Sequence, residues 1–566
     1  MATDLKRKWW KEAVVYQVYP RSFQDSDGDG IGDLNGITQR LDYIKSLGID
    51  VIWLNPIYPS PNDDNGYDIS DYRNVLEDFG TLEDFDRLLA GVKERGMKLI
   101  MDLVANHSSD EHFWFQESRK SRDNPYRDYY HWWPAEKGTP PKRWSYFDLE
   151  SNAWKYDEQT DAYYLHCFSV KQPDLKWENQ QLRQEIYDII RYWFDKGVDG
   201  FRMDVISFIS KDINYPELPE KYNGDFVPFY ADGPRLHEYL REMNDEVLQH
   251  YEVMTVGEAP GVSKDQALNF VDEDRKELNM FFHFDLMSLD RDEEEFFKYR
   301  ETPWDLKEFK ALFSDWDAVF SEKGWGSLFL DNHDFPRAVS RWGNDSAEHW
   351  YASATMLQTF ILSMRGTPYF YYGEEIGMTN VKFDNIEDYR DINTINRFQT
   401  MEQSPENVRS FIANEKHTAR DNARTPMQWD ESDHAGFTKG EPWISVNKNY
   451  QSGLNVASQE LNKDSVLHYF RKMVAVRKSH LGLIYGRYDL IWEDHDEIYA
   501  YTRRLEGEAY LVILSFSENP LKVSLGDEVA TSGKLLISNH SSAPARITGH
   551  SELLLEPYQA LVYKVD

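Results

Sequence analysis

The chain is predicted to be an α/β protein built on a (β/α)8 TIM barrel, with an insertion subdomain after the third strand and a C-terminal antiparallel β-sandwich. Three observations carry this. Eight short β-rich runs alternate with charged, amphipathic segments up to about residue 481. The alternation breaks once, between 108 and 176, where Trp, Tyr, Asp, Arg and Pro crowd an irregular stretch too long for an ordinary loop. From 482 the pattern changes again, to alternating strands separated by turn signals. The expected division is therefore a barrel over 1–107 and 177–481, an insertion over 108–176 and a sandwich over 482–566.

In chain order the runs are V-V-Y-Q-V-Y-P (14–20), D-V-I-W-L-N-P (50–56), K-L-I-M-D-L-V (98–104) and V-D-G-F-R-M-D-V (198–205). They continue with V-M-T-V-G-E (253–258), M-F-F-H-F-D-L (280–286), S-L-F-L-D-N-H-D (327–334) and T-P-Y-F-Y-Y-G-E-E (367–375). Each is mostly apolar, as strands buried on both faces require. Between them lie helical periodicities such as Leu182 to Phe194, with Ile186, Ile189, Ile190, Trp193 and Phe194 on one side. In the C-terminal part, E-I-Y-A-Y-T-R-R, A-Y-L-V-I-L-S-F and S-E-L-L-L-E read as strands.

Composition narrows the function. The 566 residues are 41% hydrophobic, enough for a large core, and 15% aromatic, which suits sugar-stacking platforms as well as core filling. A net charge of -35 argues against nucleic acid, anionic membranes and acidic substrates, and fits a soluble enzyme acting on a small neutral molecule. One cysteine, Cys167, excludes an intrachain disulfide and is compatible with a reducing compartment; its apolar surroundings read as a buried free thiol. The N-terminus lacks an apolar signal region and no stretch approaches a membrane span, so the expected location is the cytoplasm. Oligomeric state is not legible.

In such a barrel, reactive groups gather at the C-terminal ends of the strands. Those ends carry Asp102 and His107, Arg202 and Asp204, Glu258, and His333 and Asp334. Any one buried carboxylate is explained by an ion pair; several at the same end of successive strands point to a site. Arg202 and Asp204 stand two apart on one strand and so share a face. No Walker loop, dinucleotide fingerprint or Ser/His/Asp grouping competes, and G-D-G-I-G-D (28–33) does not follow a strand as a dinucleotide loop must. Carboxylates in this number, without transition-metal ligands, suggest glycoside chemistry.

A second signal lies in D-S-D-G-D-G-I-G-D (25–33). Asp25, Asp27, Asp29, the Ile31 carbonyl and Asp33 fall at alternate positions of a calcium loop, with Gly30 at the sharp turn. The closing Glu of an EF-hand is missing, Gly36 standing there, and an acidic turn without metal is the competing reading.

The strand-end motifs resemble those of glycoside hydrolase family 13, the α-amylase superfamily. D-L-V-A-N-H (102–107), G-F-R-M-D-V-I-S (200–207), T-V-G-E (255–258) and F-L-D-N-H-D (329–334) look like its four signature regions in order, and Q-P-D-L (172–175) like its fifth. W-W-K-E (9–12), D-N-G-Y-D-I-S-D-Y (64–72) and A-R-D-N-A-R-T-P-M-Q-W (419–429) resemble its oligo-1,6-glucosidase/α-glucosidase subfamily.

The resemblance implies Asp204 as nucleophile, Glu258 as general acid/base and Asp334 as the third carboxylate. It implies His107 and His333 as neutral partners of the bound sugar, and Asp64, Tyr67 and Arg420 as the closed end of an exo-acting pocket. Arg202 is expected to keep Asp204 ionised. The subfamily also has a metal-binding loop at 25–33, which favours a structural Ca²⁺; no organic cofactor is expected. Val205 goes with α-1,6 linkages in the resembling enzymes, against its plainer reading as a β-branched strand residue. The implied activity is that of a retaining α-glucosidase on isomalto-oligosaccharides, with sucrose or maltose as further substrates and transglycosylation as a side reaction.

S-L-D-R-D (288–292) resembles a loop of sucrose isomerases, the second reading, although a solvated charge run would look the same. A non-catalytic binding scaffold of the same family is the third. Two departures, Y-F-D-L-E-S-N-A-W (146–154) and Tyr372 where glutamine is usual, are expected to alter the aglycone side.

Overall fold

The computed structural model describes residues 5–147, 152–222, 226–231, 233–292, 297–300, 302–526 and 532–566. Eight parallel strands form the barrel: β1 (Val15–Val18), β2 (Val51–Leu54), β3 (Lys98–Val104), β4 (Gly200–Asp204), β5 (Met254–Glu258), β6 (Met280–Phe282), β7 (Ser327–Leu328) and β8 (Thr367–Tyr371). They pair in the order β7-β8-β1-β2-β3-β4-β5-β6. Between β6 and β7 the Ser327 hydroxyl donates to the Phe281 carbonyl at 2.8 Å, so a side chain bridges the two ends of the sheet. Nearly every strand residue is buried, as the continuous apolar runs require.

Register decides what meets at the top of the barrel. Asp102 pairs with Arg202, Val104 with Asp204, and Met203 with Gly257. Asp204 and Glu258 are thus the next residues on adjacent strands, both at the C-terminal edge. The helix Gln180–Lys196 feeds β4: Asn179 caps its start, Gly197 ends it at φ 107°, and Leu182, Ile186, Ile189, Ile190, Trp193 and Phe194 are its buried face.

The insertion is less irregular than its composition suggests. It folds around a three-stranded antiparallel sheet, Trp132–Pro134, Ala162–Leu165 and Trp154–Asp157, and returns to the barrel through bridges at His107–Asp174 and Tyr130–Leu175. The C-terminal part has a six-stranded antiparallel sheet from Arg487 to Val565, and a two-stranded one, Leu521–Ser524 with Glu552–Leu555. Ile498, Leu511, Ile513, Leu553, Leu555 and Leu561 pack into one apolar cluster shared by the two sheets. The helix Leu481–Tyr485 precedes the first of these strands. Among the described residues no helix is long and apolar enough to cross a membrane.

Candidate active site

One guanidinium organises the floor of the site. Arg202, 1% exposed, reaches Asp102 Oδ1 at 2.7 Å, Asp204 Oδ1 at 2.6 Å and Glu258 Oε2 at 2.7 Å. Trp53 Nε1–H donates to the other Asp102 oxygen at 2.7 Å, fixing the third partner. Arg202 is expected to keep Asp204 ionised, and in the fold two further carboxylates share that cation. Burial raises the Asp204 carboxyl well above the usual range; the Arg202 charge pulls it down, but the neighbouring Glu258 and Asp102 carboxylates push it up again. Three carboxylates thus share one cation at the floor of the site.

Val205 is also not what its type suggested. The strand ends at Asp204, and Val205 adopts a left-handed conformation, φ 33° and ψ 42°, before the short turn Ile206–Phe208. That backbone is unfavourable for a β-branched residue, by roughly 1–3 kcal/mol. It turns the Val205 N–H onto Glu258 Oε2 at 3.0 Å, and the Val205 side chain lines the cavity. The plainer reading of Val205 as a strand residue is therefore corrected.

Beyond β7, Asp334 Oδ1 accepts from Arg420 and Arg424, each at 3.0 Å, while Oδ2 lies 3.1 Å from His333 Nε2. Burial disfavours its charge, but His333, Arg420 and Arg424 together hold the carboxyl well below the usual range. Gln17 Nε2 donates to His333 Nδ1 at 2.8 Å, which leaves the ring proton on Nε2 between Tyr67 Oη, at 2.7 Å, and Asp334. Burial takes the His333 imidazole down to about 3, so it is neutral.

Arg420 gathers two further carboxylates at the cavity wall. It bonds Asp64 Oδ1 at 3.2 Å and Asp391 Oδ1 at 2.5–2.7 Å, and its guanidinium lies 5.1 Å from the Phe147 ring centroid. Burial raises the Asp64 carboxyl to about 7 against the pull of Arg420 and Arg424. Gln172 Nε2–H donates to its second oxygen at 3.1 Å.

Asp64, Tyr67, His107, Asp204, Val205, Glu258, Asp334 and Arg420 line one cavity. Arg202 and His333 do not: they are fully buried behind its wall and act on what lines it. Both His333 nitrogens are engaged by protein groups, contrary to its expected role as a direct sugar partner. Sequence reading missed Asp391 and Arg424. Arg424 lay inside the quoted 419–429 motif, but nothing local distinguishes its ion pair with Asp334. Asp391 caps the helix Ile392–Thr400 and holds Arg420 at the same time, a double role invisible without the fold.

The wider mouth is lined by Phe284, Arg291, Phe297, Phe335, Arg397 and Glu415. Asp290 and Arg291 are buried, and Arg341 grips Asp290 with two bonds of 2.6 and 2.7 Å, so this part of 288–292 is no solvated charge run. Tyr146 and Phe147 also reach the cavity, whereas 148–151 lie outside the described residues. Tyr372 does not alter the aglycone side: its hydroxyl donates to the Thr425 carbonyl at 2.7 Å, bracing the segment that carries Arg424. Cys167 is a buried thiol whose ionisation burial pushes up.

In the 25–33 loop, ligand atoms of Asp25, Asp27 and Asp29 lie within 4.8 Å of one another. Burial and the neighbouring Asp27 and Asp25 charges raise the Asp29 carboxyl, whereas Asp25, despite burial, is held low by Thr438 and by the Gly28, Gly30 and Asp27 N–H groups; three clustered carboxylates are a donor set that fits a hard cation. Asp33 instead accepts from Ser26 N at 2.6 Å and from Gly36 N at 2.8 Å, capping the helix Leu34–Gln39. Gly30, at φ 95°, leaves no room for a Cβ, which would fall 1.8 Å from the Glu441 carbonyl oxygen.

Comparison with known proteins agrees with this geometry. The profile of the α-amylase catalytic domain matches residues 17–486. The oligo-1,6-glucosidase of Parageobacillus thermoglucosidasius is 52% identical, over 99% of this chain and all of that protein. The oligo-1,6-glucosidase of Bacillus cereus is 50% identical over the same shares. Among solved structures, a mutant trehalulose synthase in complex with Tris superposes with a TM-score of 0.95 at 45% identity, covering 99% of this chain and 100% of that one. The chain is a glycoside hydrolase and belongs to the α-amylase family, glycoside hydrolase family 13.

Proposed function

We propose that the protein is a retaining, exo-acting α-glucosidase that releases terminal glucose from short α-glucosides, isomalto-oligosaccharides foremost. The observation that carries this is the set of three carboxylates in one cavity that the ion-paired Asp64 and Arg420 also line, a pair we take as its closed end. A blind end accepts one terminal sugar. The same set argues against a mere binding scaffold.

Asp204 attacks the anomeric carbon while Glu258 protonates the leaving oxygen; Glu258 then takes a proton from water, which releases glucose from Asp204. The Val205 N–H and Arg202 hold the Glu258 carboxylate in place. Asp334, kept anionic, accepts from sugar hydroxyls and complements the positive charge of the transition state. Asp64, Tyr67, His107 and Arg420 surround the terminal glucose. A sugar in place of water gives transglycosylation.

The α-1,6 preference rests on Val205 and on the relatives named oligo-1,6-glucosidase. Sucrose isomerisation is the second reading, favoured by Arg291 in the mouth and by likeness to a trehalulose synthase. Asp25, Asp27 and Asp29 would hold a structural Ca²⁺ that tightens the loop, with Asp33 capping the following helix. A cytoplasmic location is supported by the single buried thiol. Product chromatography after incubation with isomaltose, maltose, sucrose and dextran tests the substrate assignment. Glucose from isomaltose is expected; isomaltulose or trehalulose as the main product from sucrose would replace it with the isomerase.

A further inference from the structure

His107 lines the sugar cavity, and the direction of its ring proton decides which neighbour the ring donates to. Its Nε2 sits 3.2 Å from the Tyr67 carbonyl, an acceptor, and 3.2 Å from Gln172 Nε2, a donor. The Gln172 amide is itself fixed, because its oxygen accepts from Ser169 N at 2.9 Å. The contacts of Nε2 are thus balanced, and the tautomer is decided at Nδ1.

Nδ1 faces the Asn106 amide nitrogen at 3.2 Å. An amide presents its nitrogen to one side only if its oxygen is held on the other. The oxygen is held by Lys211, whose ammonium donates to Asn106 Oδ1 at 2.5 Å. Lys211 is itself pinned: it donates to the Phe208 carbonyl at 2.9 Å and pairs at 2.9 Å with the fully buried Asp174 of the insertion. The ammonium thus makes two hydrogen bonds and one ion pair, to three segments of the chain. Flipping the amide would set its N–H₂ against the ammonium, and protonating Nδ1 without flipping would set N–H against N–H.

We infer that Lys211 is a positioning residue: through Asn106 it fixes His107 as the Nε2–H tautomer, so that the ring donates to the Tyr67 carbonyl and holds the Tyr67 segment of the cavity wall in place. This rests on the proposed glucosidase site but is tested without substrate. Burial and Lys211 also hold His107 neutral, at about 4, as a tautomer lock requires.

The experiment is a tautomer-sensitive ¹H–¹⁵N correlation spectrum of the full chain labelled at histidine, with His107 assigned by its loss in H107Q. Wild type is expected to show Nε2 protonated and Nδ1 bare. K211M should mix or invert the two forms and lower kcat/KM roughly 10- to 100-fold, as loss of one well-placed hydrogen bond does. Asn106→Asp keeps an acceptor for Lys211 but offers none of the donors to Nδ1, so it should give the Nδ1–H form even if K211M does not fold. A wild-type Nδ1–H form, or persistence of Nε2–H in either variant, overturns the inference. Absence of α-glucosidase activity in wild type would instead defeat the functional reading and leave this one standing.

Discussion

Replacing Arg202 with methionine tests the central electrostatic claim. In the native protein one guanidinium faces Asp102, Asp204 and Glu258 at 2.6–2.7 Å. Removing the cation restores the same net charge only if one more proton is bound. Holding a proton at pH 7 on a carboxyl that ordinarily titrates near 4 costs about 4 kcal/mol, and at pH 5 about 1.4 kcal/mol. The folded variant then binds more protons than its unfolded chain, so its stability falls as pH rises, and the deficit grows by about 1.4 kcal/mol per pH unit. For 566 residues the unfolding entropy is about 1.2 kcal/mol per degree, giving a loss of about 3 °C in Tm at pH 7 and about 1 °C at pH 5. Any loss of packing adds equally at both. Calorimetry of wild type and R202M at the two pH values measures the difference. An equal deficit at pH 5 and 7, or a larger one at pH 5, refutes the shared-charge reasoning.

Asp204→Ala should leave the fold intact by circular dichroism while removing roughly 10⁴-fold or more of the turnover; near-normal turnover would dismiss it as nucleophile. Dialysis against EDTA should lower Tm by about 2 °C, restored by Ca²⁺ at a hundred times its Kd; unchanged Tm and bound calcium would rule the 25–33 site out. Val205→Thr keeps the β-branch but puts a hydroxyl at the cavity wall, and should shift the isomaltose-to-maltose ratio of kcat/KM by roughly tenfold. An unaltered ratio would remove Val205 from the specificity argument.

The parts legible in the sequence were those written in local patterns. Apolar runs of strand length placed all eight barrel strands, because a strand buried on both faces must be apolar along its length. Barrel geometry then put Asp102, Arg202, Asp204, Glu258 and His333–Asp334 at one end, since reactive side chains sit where the strands stop. The insertion was seen only as a break in rhythm; its three short strands are too brief for periodicity to reveal.

What tertiary structure alone decided are quantities that depend on groups far apart in the chain. Asp204 and Arg202, two residues apart, suggested a simple ion pair, but two more carboxylates from other strands share the guanidinium and push the Asp204 carboxyl up against its pull. Val205 carries strand propensity, yet a left-handed backbone places its N–H on Glu258. Asp391 and Arg424 owe their roles to a clamp assembled from segments that meet only in the fold. Local patterning follows from hydrophobic burial, which each residue carries with it; charge state and strain are set by the sum of neighbours that only the folded chain brings together.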